Sequence, residues 1–317
     1  MADACGSSGI FARVAYDNQS VGAFANFTSG SDAFPLAGGG TSLSLNKPHV
    51  NNEGLNGSTA QSSELTRTGL QLVDGELPLL ATPESLDVFL PHITGRALAA
   101  GVTYPAVEVP DNFHLLLHRD ALLYPYYDLV INQATLSGSS GEPIALNLSL
   151  LGRTRDAVLP AGSSWPAGLE TSKSVPYMFS DMVFTVAGTP YPIRAFNLTY
   201  NNNLVPAYFN ENTPCGFRRA GRTQTTLQIV VPHTAAIVTA IQNGATPPAA
   251  LDVSLTFTHP TAGMSFTIRC QALQIPPRDA NVPEGEILLD LTGVARTKSG
   301  GASSGAEVIF TNDSTPT

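Results

Sequence analysis

Charged residues are scarce in this chain, at 13% of 317 residues, compared with about 25% in soluble domains. Lysine is the rarest, occurring only as Lys47, Lys173 and Lys298, and the net charge is −9. Because binding to phosphates depends on clustered lysine and arginine, this composition excludes a basic surface that grips nucleic acid. A surface with so little charge suits a protein that is largely covered by copies of itself.

Long hydrophobic runs and a regular cysteine pattern are also missing. No stretch approaches the ~20 consecutive apolar residues of a transmembrane helix. Residues 1–6 show no basic region followed by an apolar run, so we expect no signal peptide. Cys5, Cys215 and Cys270 are odd in number and widely spaced, which predicts reduced thiols in a cytosolic environment.

Motifs that carry chemistry are absent as well. His114 and His118 are four residues apart, but no cysteine or carboxylate cluster accompanies them, so we interpret both as structural. The glycines at 38–40 precede neither a helix nor a lysine and do not form a phosphate-binding loop. Cys270 lies on the apolar face of a predicted strand, where an inert thiol is expected. The sequence therefore predicts no enzyme activity, no metal and no cofactor.

Alternation of apolar and polar residues is the main pattern that is present. It is clearest over 144–150, 251–258 and 264–271, where every second residue is apolar. This period of two is typical of strands with one buried and one polar face. The intervening segments are too short for parallel crossovers, so we predict a mainly antiparallel β protein. Weaker strands are predicted at 42–46, 66–74, 113–118, 127–136, 181–187, 193–200, 223–231 and 286–294.

Two short helices interrupt the strands. The first is predicted to begin at Thr82-Pro83-Glu84, with a hydroxyl at the N-cap and proline in the first turn, and to end at Gly95. The second is predicted from about Thr234 to Gly244. Similar segments, GLQLV and TLQIV, precede them. The sequence leaves open whether the two halves are an internal duplication or ordinary hairpin-plus-helix units that match by chance.

Polar segments rich in glycine, serine or proline connect these elements. Segments of this kind serve as arms between subunits in proteins that assemble with themselves. The candidate arm residues are Gly38, Gly39, Gly40, Trp165, Pro276 and Pro277.

Four segments in order, 65–95, 126–154, 175–204 and 221–232, resemble a known family. They contain a strand followed by a glycine turn and a short helix, a hairpin around a glycine turn, a strand that ends in Asn-Asn, and a strand that leads into a helix. In this order they resemble the major tail tube proteins of long-tailed bacteriophages of the siphovirus type. The family implies an antiparallel β-sandwich or barrel with short flanking helices.

The resemblance also implies a division of the chain and a function. We expect an N-terminal half with an arm loop over 1–108, a main β-sandwich tube domain over 109–295, and a flexible Gly/Ser-rich tail over 296–317. The implied function is a virion structural protein, assembled in the host cytoplasm. Its subunits would form stacked hexameric or pseudo-hexameric rings, from six or three copies, that make the channel for genome DNA ejection.

The implied partners are copies of the chain itself and other tail proteins, with DNA passing non-specifically and no membrane involved. A tube interior must let DNA pass without adhering, so the resemblance directs attention to polar strand faces. The candidate lumen or interface residues are Asp252, Ser254, Thr256, Thr258, Ser265, Thr267 and Gln271.

Two other functions fit the composition. One is another phage structural protein, either a capsid decoration protein or a tail terminator. The other is a carbohydrate-binding β-sandwich, for which Tyr124, Tyr126 and Tyr127 beside Asp128 would be the candidate binding residues.

Overall fold

The computed structural model describes 13–17, 32–37, 40–51, 66–99, 101–103, 105, 109–119, 122–160, 165, 169, 174–241, 250–261, 263–276, 287–297 and 307–313. These residues form two α-helices and a set of antiparallel strands. In the first part of the chain the elements are β1 (Arg13–Asp17), β2 (Asp32–Pro35), β3 (Ser44–Asn46), β4 (His49–Asn51), β5 (Thr66–Thr68), β6 (Leu72–Leu80), α1 (Pro83–Thr94), β7 (Val102–Thr103), β8 (Phe113–Arg119), β9 (Leu122–Ser139), β10 (Ala145–Arg155) and β11 (Leu159–Pro160).

The second part of the chain also consists mainly of strands, which follow a 3₁₀ turn at Phe179–Asp181. Its elements are β12 (Met182–Val186), β13 (Thr189–Tyr191), β14 (Ala195–Asn201), β15 (Leu204–Ala207), β16 (Gly216–Arg219), β17 (Gln224–Pro232), α2 (Ala235–Ile241), β18 (Leu251–Thr258), β19 (Ser265–Gln274), β20 (Leu288–Ala295) and β21 (Ile309–Asp313). The prediction of a mainly antiparallel β protein with short flanking helices is confirmed.

Seven strands form the first sheet, which we call sheet I. Its order, read from the pairings, is β3–β6–β10–β9–β14–β17–β20, and every neighbouring pair is antiparallel. Each strand buries every second side chain, as in β14, where Phe196, Leu198 and Tyr200 are buried. The other face of sheet I is consequently free to be polar.

Six strands form the facing sheet, which we call sheet II, in the order β13–β12–β18–β19–β21–β7. A short pairing between β19 and β20 connects it to sheet I. The rings of Phe196 on β14 and Phe257 on β18 are 5.6 Å apart, although these strands do not pair. The two sheets therefore pack face to face around one core, as in a sandwich.

The long strand β9 connects the sandwich to a third group of strands. Its second half pairs with β14, whereas its first half pairs with β8, which continues to β1 and β2. Buried aromatic side chains fill this end of the core, including Tyr16, Phe34 and Phe113. Burial of these rings favours folding at roughly 25 cal/mol for each Å² of apolar surface removed from water.

Helix α1 closes the core at this end and begins as predicted. Thr82 and Ser85 cap it reciprocally, since each backbone N–H donates to the other's hydroxyl, at 2.9 and 3.1 Å. Gly95 ends the helix in the left-handed conformation, with φ of 74°. Leu86, Phe89, Leu90 and Ile93 are fully buried. The second predicted helix is confirmed at Ala235–Ile241, while Gly244 lies outside the described residues.

Three strands occur inside polar segments that the sequence indicated as loops, 28–42 and 157–174, or as the tail, 296–317. Asp32–Pro35 forms β2, Leu159–Pro160 forms β11, and Ile309–Asp313 forms β21 inside the segment expected to be a flexible tail. The expectation of a flexible tail is wrong for 309–313, because Phe310 is fully buried and packs in the core. The division of the chain at residue 108 stays a prediction.

Candidate assembly surfaces

The predicted polar residues of β18 and β19 lie together on the outer face of sheet II. The register places Thr256 opposite Thr267 and Thr258 opposite Ser265, while Asp252, Ser254 and Gln271 lie on the same face. They alternate with buried residues and are half-buried, except for Thr258, which is exposed. The structure therefore brings all seven predicted residues onto one surface, which we call the β18–β19 face.

Hydroxyl groups link the strands across this face. The Thr267 hydroxyl donates to Thr256 Oγ1 at 3.2 Å, and the hydroxyls of Thr185 on β12 and Ser254 are 2.8 Å apart. Such cross-strand pairs each stabilise a sheet by roughly 0.2–1 kcal/mol. The face is thus rich in hydroxyl groups, which suits a surface that contacts another polar surface.

One ion pair lies at the edge of the β18–β19 face. Arg269 Nε and Nη2 donate to the two carboxylate oxygens of Asp252, at 3.0 and 2.6 Å. These hydrogen bonds raise the pKa of Arg269, although burial acts in the opposite direction. Asp252 thereby holds the only cation that β18 and β19 carry, and the face presents little net charge.

The outer face of sheet I is a second polar surface, and the sequence did not single it out. One row runs through Asn147, Thr135, Thr199 and Thr226, which are adjacent in register on β10, β9, β14 and β17. Further polar side chains on this face include Asp74, Glu76, Ser149, Gln133, Ser137, Asn197, Asn201, Gln224, Gln228, Asp290 and Thr292.

The charges on the face of sheet I are mostly negative. Gln228 Nε2 donates to both carboxylate oxygens of Asp290, at 3.1 and 3.0 Å, and Asn147 Nδ2 donates to Glu76 at 3.1 Å. Among the described strand positions of this face there is no lysine. Arg153 lies at its margin, where it pairs with Asp128 at 3.1 Å.

The predicted arm residues have different surroundings. Arg13 stacks 3.8 Å above the Trp165 ring, and the Trp165 indole N–H donates to Leu169 O at 3.1 Å, so this arm packs against its own chain. Gly40 is exposed with φ of 66°, and Pro276 is exposed just after β19. Gly38, Gly39 and Pro277 lie outside the described residues.

Sequence reasoning also missed a ribbon formed by β15 and β16, most of whose residues are half-buried. Its loop carries Phe209, which is 81% exposed. The same loop is fixed to the first part of the chain, since Gln71 N–H donates to Asn212 O at 2.8 Å and the Tyr208 hydroxyl donates to Gln71 O at 3.0 Å. An aromatic side chain held outward on a fixed loop is a candidate contact for another molecule.

Titratable groups cluster beside α1, and Tyr16, Asp17 and His92 among them are buried. The Tyr16 hydroxyl and His92 Nε2 are 2.5 Å apart, and Asp17, Asp32 and Asp111 line the same pocket. Burial lowers the pKa of His92 and raises the pKa of Asp32, to which the negative charge of Glu84 adds. Within the described part of the chain, no three His, Cys, Asp or Glu side chains are grouped to hold a metal ion.

The cysteines differ in their exposure to solvent. Cys270 is buried, and burial raises its pKa to about 12, while Cys215 is exposed and Cys5 lies outside this part of the chain. Neither cysteine in the described part forms a disulfide. Among the helices that are described, none has the length and apolar character needed to cross a membrane.

A comparison with family models identifies the family of the chain. The model described as Phage tail tube protein matches residues 12–308, which is nearly the whole chain. The chain belongs to the phage tail tube protein family. It is a structural protein of the virion tail and not an enzyme, and the family implies self-assembly together with other tail proteins. The resemblance seen in the sequence is thereby confirmed. No curated protein matches the chain.

Proposed function

We propose that this tail tube protein is the major tube subunit, which assembles into stacked rings around a channel through which genome DNA is ejected. The main support for the proposal is the outer face of sheet I, which is broad and polar, while the inner face of the same sheet packs on the main hydrophobic core. Its end strands, β3 and β20, each pair on one side over most of their length among the described residues. A sheet with such ends can continue into neighbouring copies, and ring closure removes exposed edges.

The charges on sheet I fit the inside of a DNA channel. Lysine and arginine bind phosphates and release counterions, so a positive lining would hold DNA in place. Here the polar side chains are mainly threonine, serine, asparagine and glutamine, together with Asp74, Glu76 and Asp290, and Arg153 at the margin is paired with Asp128. We therefore assign the face of sheet I to the channel.

The β18–β19 face lies on the opposite side of the core from sheet I. We propose that its hydroxyl-rich surface contacts other subunits. Interfaces of this kind are polar and hold bridging water, and they do not need charged residues in their centre.

Negative-stain electron microscopy of the purified protein over a range of concentrations tests the proposal. We expect rings that stack into tubes with a central channel, and mass measurement gives the number of copies in a ring. Single rings that never stack would favour a tail terminator. A monomer at every concentration would overturn the proposal and would favour a decoration protein or a carbohydrate-binding domain, which a glycan screen would separate.

A further inference from the structure

The strand pairings of the first part of the chain recur, in the same order, in the second part. Hairpin β1–β2 pairs with β8 through β1, and hairpin β12–β13 pairs with β18 through β12. Next, β3 pairs with β6 around the inserted ribbon β4–β5, and β14 pairs with β17 around the ribbon β15–β16.

The elements after these ribbons also correspond. Strands β6 and β17 have nine residues each, and each leads directly into a helix. The hydroxyl of Thr82 accepts a hydrogen bond from Ser85 N–H at 3.1 Å, and that of Thr234 accepts one from Ile237 N–H at 3.3 Å. Both helices thus begin with a threonine that caps the third residue after it.

The remaining pairings also correspond, and one of their irregularities recurs. Strands β8–β9–β10 correspond to β18–β19–β20, β6–β10 to β17–β20, and β9–β11 to β19–β21. The ladder β8–β9 shifts register between Phe113 and Leu115, and β18–β19 shifts between Leu251 and Val253. Two pairings are left over, β9–β14 and β7–β21, and both join the two parts.

We infer that the chain consists of two copies of one structural unit, β1–β11 and β12–β21, and that neighbouring chains join in the ring as the two units join within one chain. The inference rests on the proposed tube function. It divides the chain between Pro160 and Met182, which differs from the division predicted at residue 108. Three chains then supply six units, and the ring closes by repeating one kind of junction.

The junction within the chain is the pairing of β9 with β14. Asn201 lies opposite Gln133, and just beyond them the Asn202 N–H donates to Asn132 O at 2.7 Å. The Asn132 side chain strengthens this end, because its Oδ1 accepts from Leu204 N–H at 2.8 Å.

The strand register shows which residues at the two open ends of the chain correspond to Asn202 and Asn132 of this junction. Asn201 pairs with the first residue of β17, and Asn46 pairs with the first residue of β6, so Lys47 corresponds to Asn202. No strand among those described pairs with the edge of β3 that faces away from β6. That edge is therefore open to a second copy.

The complementary position lies just after β19. In the first unit, Val130 pairs with Leu151, and Leu151 also pairs with the third residue of β6. In the second unit, Gln274 pairs with Val294, and Val294 also pairs with the third residue of β17. Gln274 therefore corresponds to Val130. Two residues further along, Pro276 corresponds to Asn132. Both Lys47 and Pro276 are exposed.

The junction between chains is shorter than the one within the chain and is restricted to the Lys47 end of β3. Arg119 Nη2 donates to the carbonyl oxygens of Leu43 and Thr41, at 2.8 and 3.3 Å, so that part of the edge is already occupied. The inference therefore places Lys47 of one copy beside Pro276 of the next.

A double variant, Lys47→Cys with Pro276→Cys, tests this contact. Cys5 and Cys215 are replaced by serine, while buried Cys270 is kept. Residues on adjacent strands lie within the 4.4–6.8 Å between Cα atoms that a disulfide requires. After mild oxidation of assembled rings, we expect most chains to migrate as covalent dimers and trimers, with no larger species.

Matched controls and alternative outcomes make the test decisive. Lys47→Cys with Pro190→Cys, in which the second proline lies on β13, should leave the chains monomeric, as should each single variant. Assembled rings without cross-links, or a ladder that continues to six chains, would overturn the inference and leave the tube function intact. Unmodified protein that forms no rings would overturn the proposed function itself.

Discussion

Asp252 and Arg269 form a bidentate ion pair between β18 and β19, and their side chains are 31% and 48% exposed. Both groups retain contact with water, and exposed pairs of this type contribute about 0–1 kcal/mol. The pair is therefore more important for the charge of the surface than for folding.

Replacing Asp252 with Asn should lower the free energy of unfolding by less than about 1 kcal/mol, because the pair is solvated. It should also leave Arg269 without its counter-charge on the β18–β19 face. We expect fewer or shorter tubes at low salt and partial recovery at high salt. Urea denaturation and electron microscopy measure the two effects. A loss of stability above about 2 kcal/mol would show that the pair has a structural role.

Replacing Thr199 with Lys tests the assignment of sheet I to the channel. The side chain is half-buried in the middle of β14, and a lysine can extend from it into the channel. We expect tubes to assemble normally but DNA ejection from phage particles to slow, more strongly at low salt, because the ammonium groups bind phosphates. Thr189→Lys, at an exposed position on β13 that belongs to neither face, is the control and should not slow ejection. Equal ejection rates in the two variants would contradict the assignment.

Replacing Phe89 with Ala should destabilise the fold by about 3–5 kcal/mol, the usual range for a buried phenylalanine. Its ring is fully buried and lies 5.6–6.0 Å from the rings of Phe34, Tyr16 and Phe113. Urea denaturation measures the change. Val183→Ala provides the comparison, since Val183 is 49% exposed and should cost little. Similar losses in both variants would mean that α1 does not close the core.

Lowering the pH from 7 to 5 should destabilise the protein partly through His92. Burial lowers the pKa of His92 in the folded state, so the unfolded chain binds the proton more readily. Its contribution to stability is complete above the unfolded pKa of about 6.5 and is lost as the pH falls through the folded pKa.

The variant His92→Gln should therefore be less stable at pH 7 but should show a smaller decrease between pH 7 and 5. Urea denaturation at several pH values gives this slope. His233→Gln, at an exposed position, should keep the slope of the unmodified protein. An unchanged slope in His92→Gln would exclude His92 as a source of the pH dependence.

Much of the fold could be predicted from local patterns. Alternation located β10, β18 and β19, and the capping residues Thr82 and Gly95 fixed both ends of α1. Strands β2 and β21 were missed because each has only four or five residues. Their burial depends on partners far away in the sequence, which periodicity does not reveal.

The candidate surfaces were predictable to a lesser extent. The alternation at Asn147 and Ser149 was visible, but the sequence could not show that these residues align with Thr199 and Thr226 on one face. Such alignment follows from register, and register is decided by pairing between distant strands. The same limit applied to the two halves of the chain, whose similarity lies in their pairings more than in their residues.

Strand β21 has a consequence for how the protein is made. Its residue Asn312 donates to Pro83 O at 3.0 Å and to Asp87 at 2.7 Å, while Phe310 and Thr311 pair with β7. The first helix thus receives part of its support from residues that leave the ribosome more than two hundred positions later. A nascent chain lacks this support until 309–313 have emerged, so synthesis itself delays the moment at which a subunit is complete enough to join others.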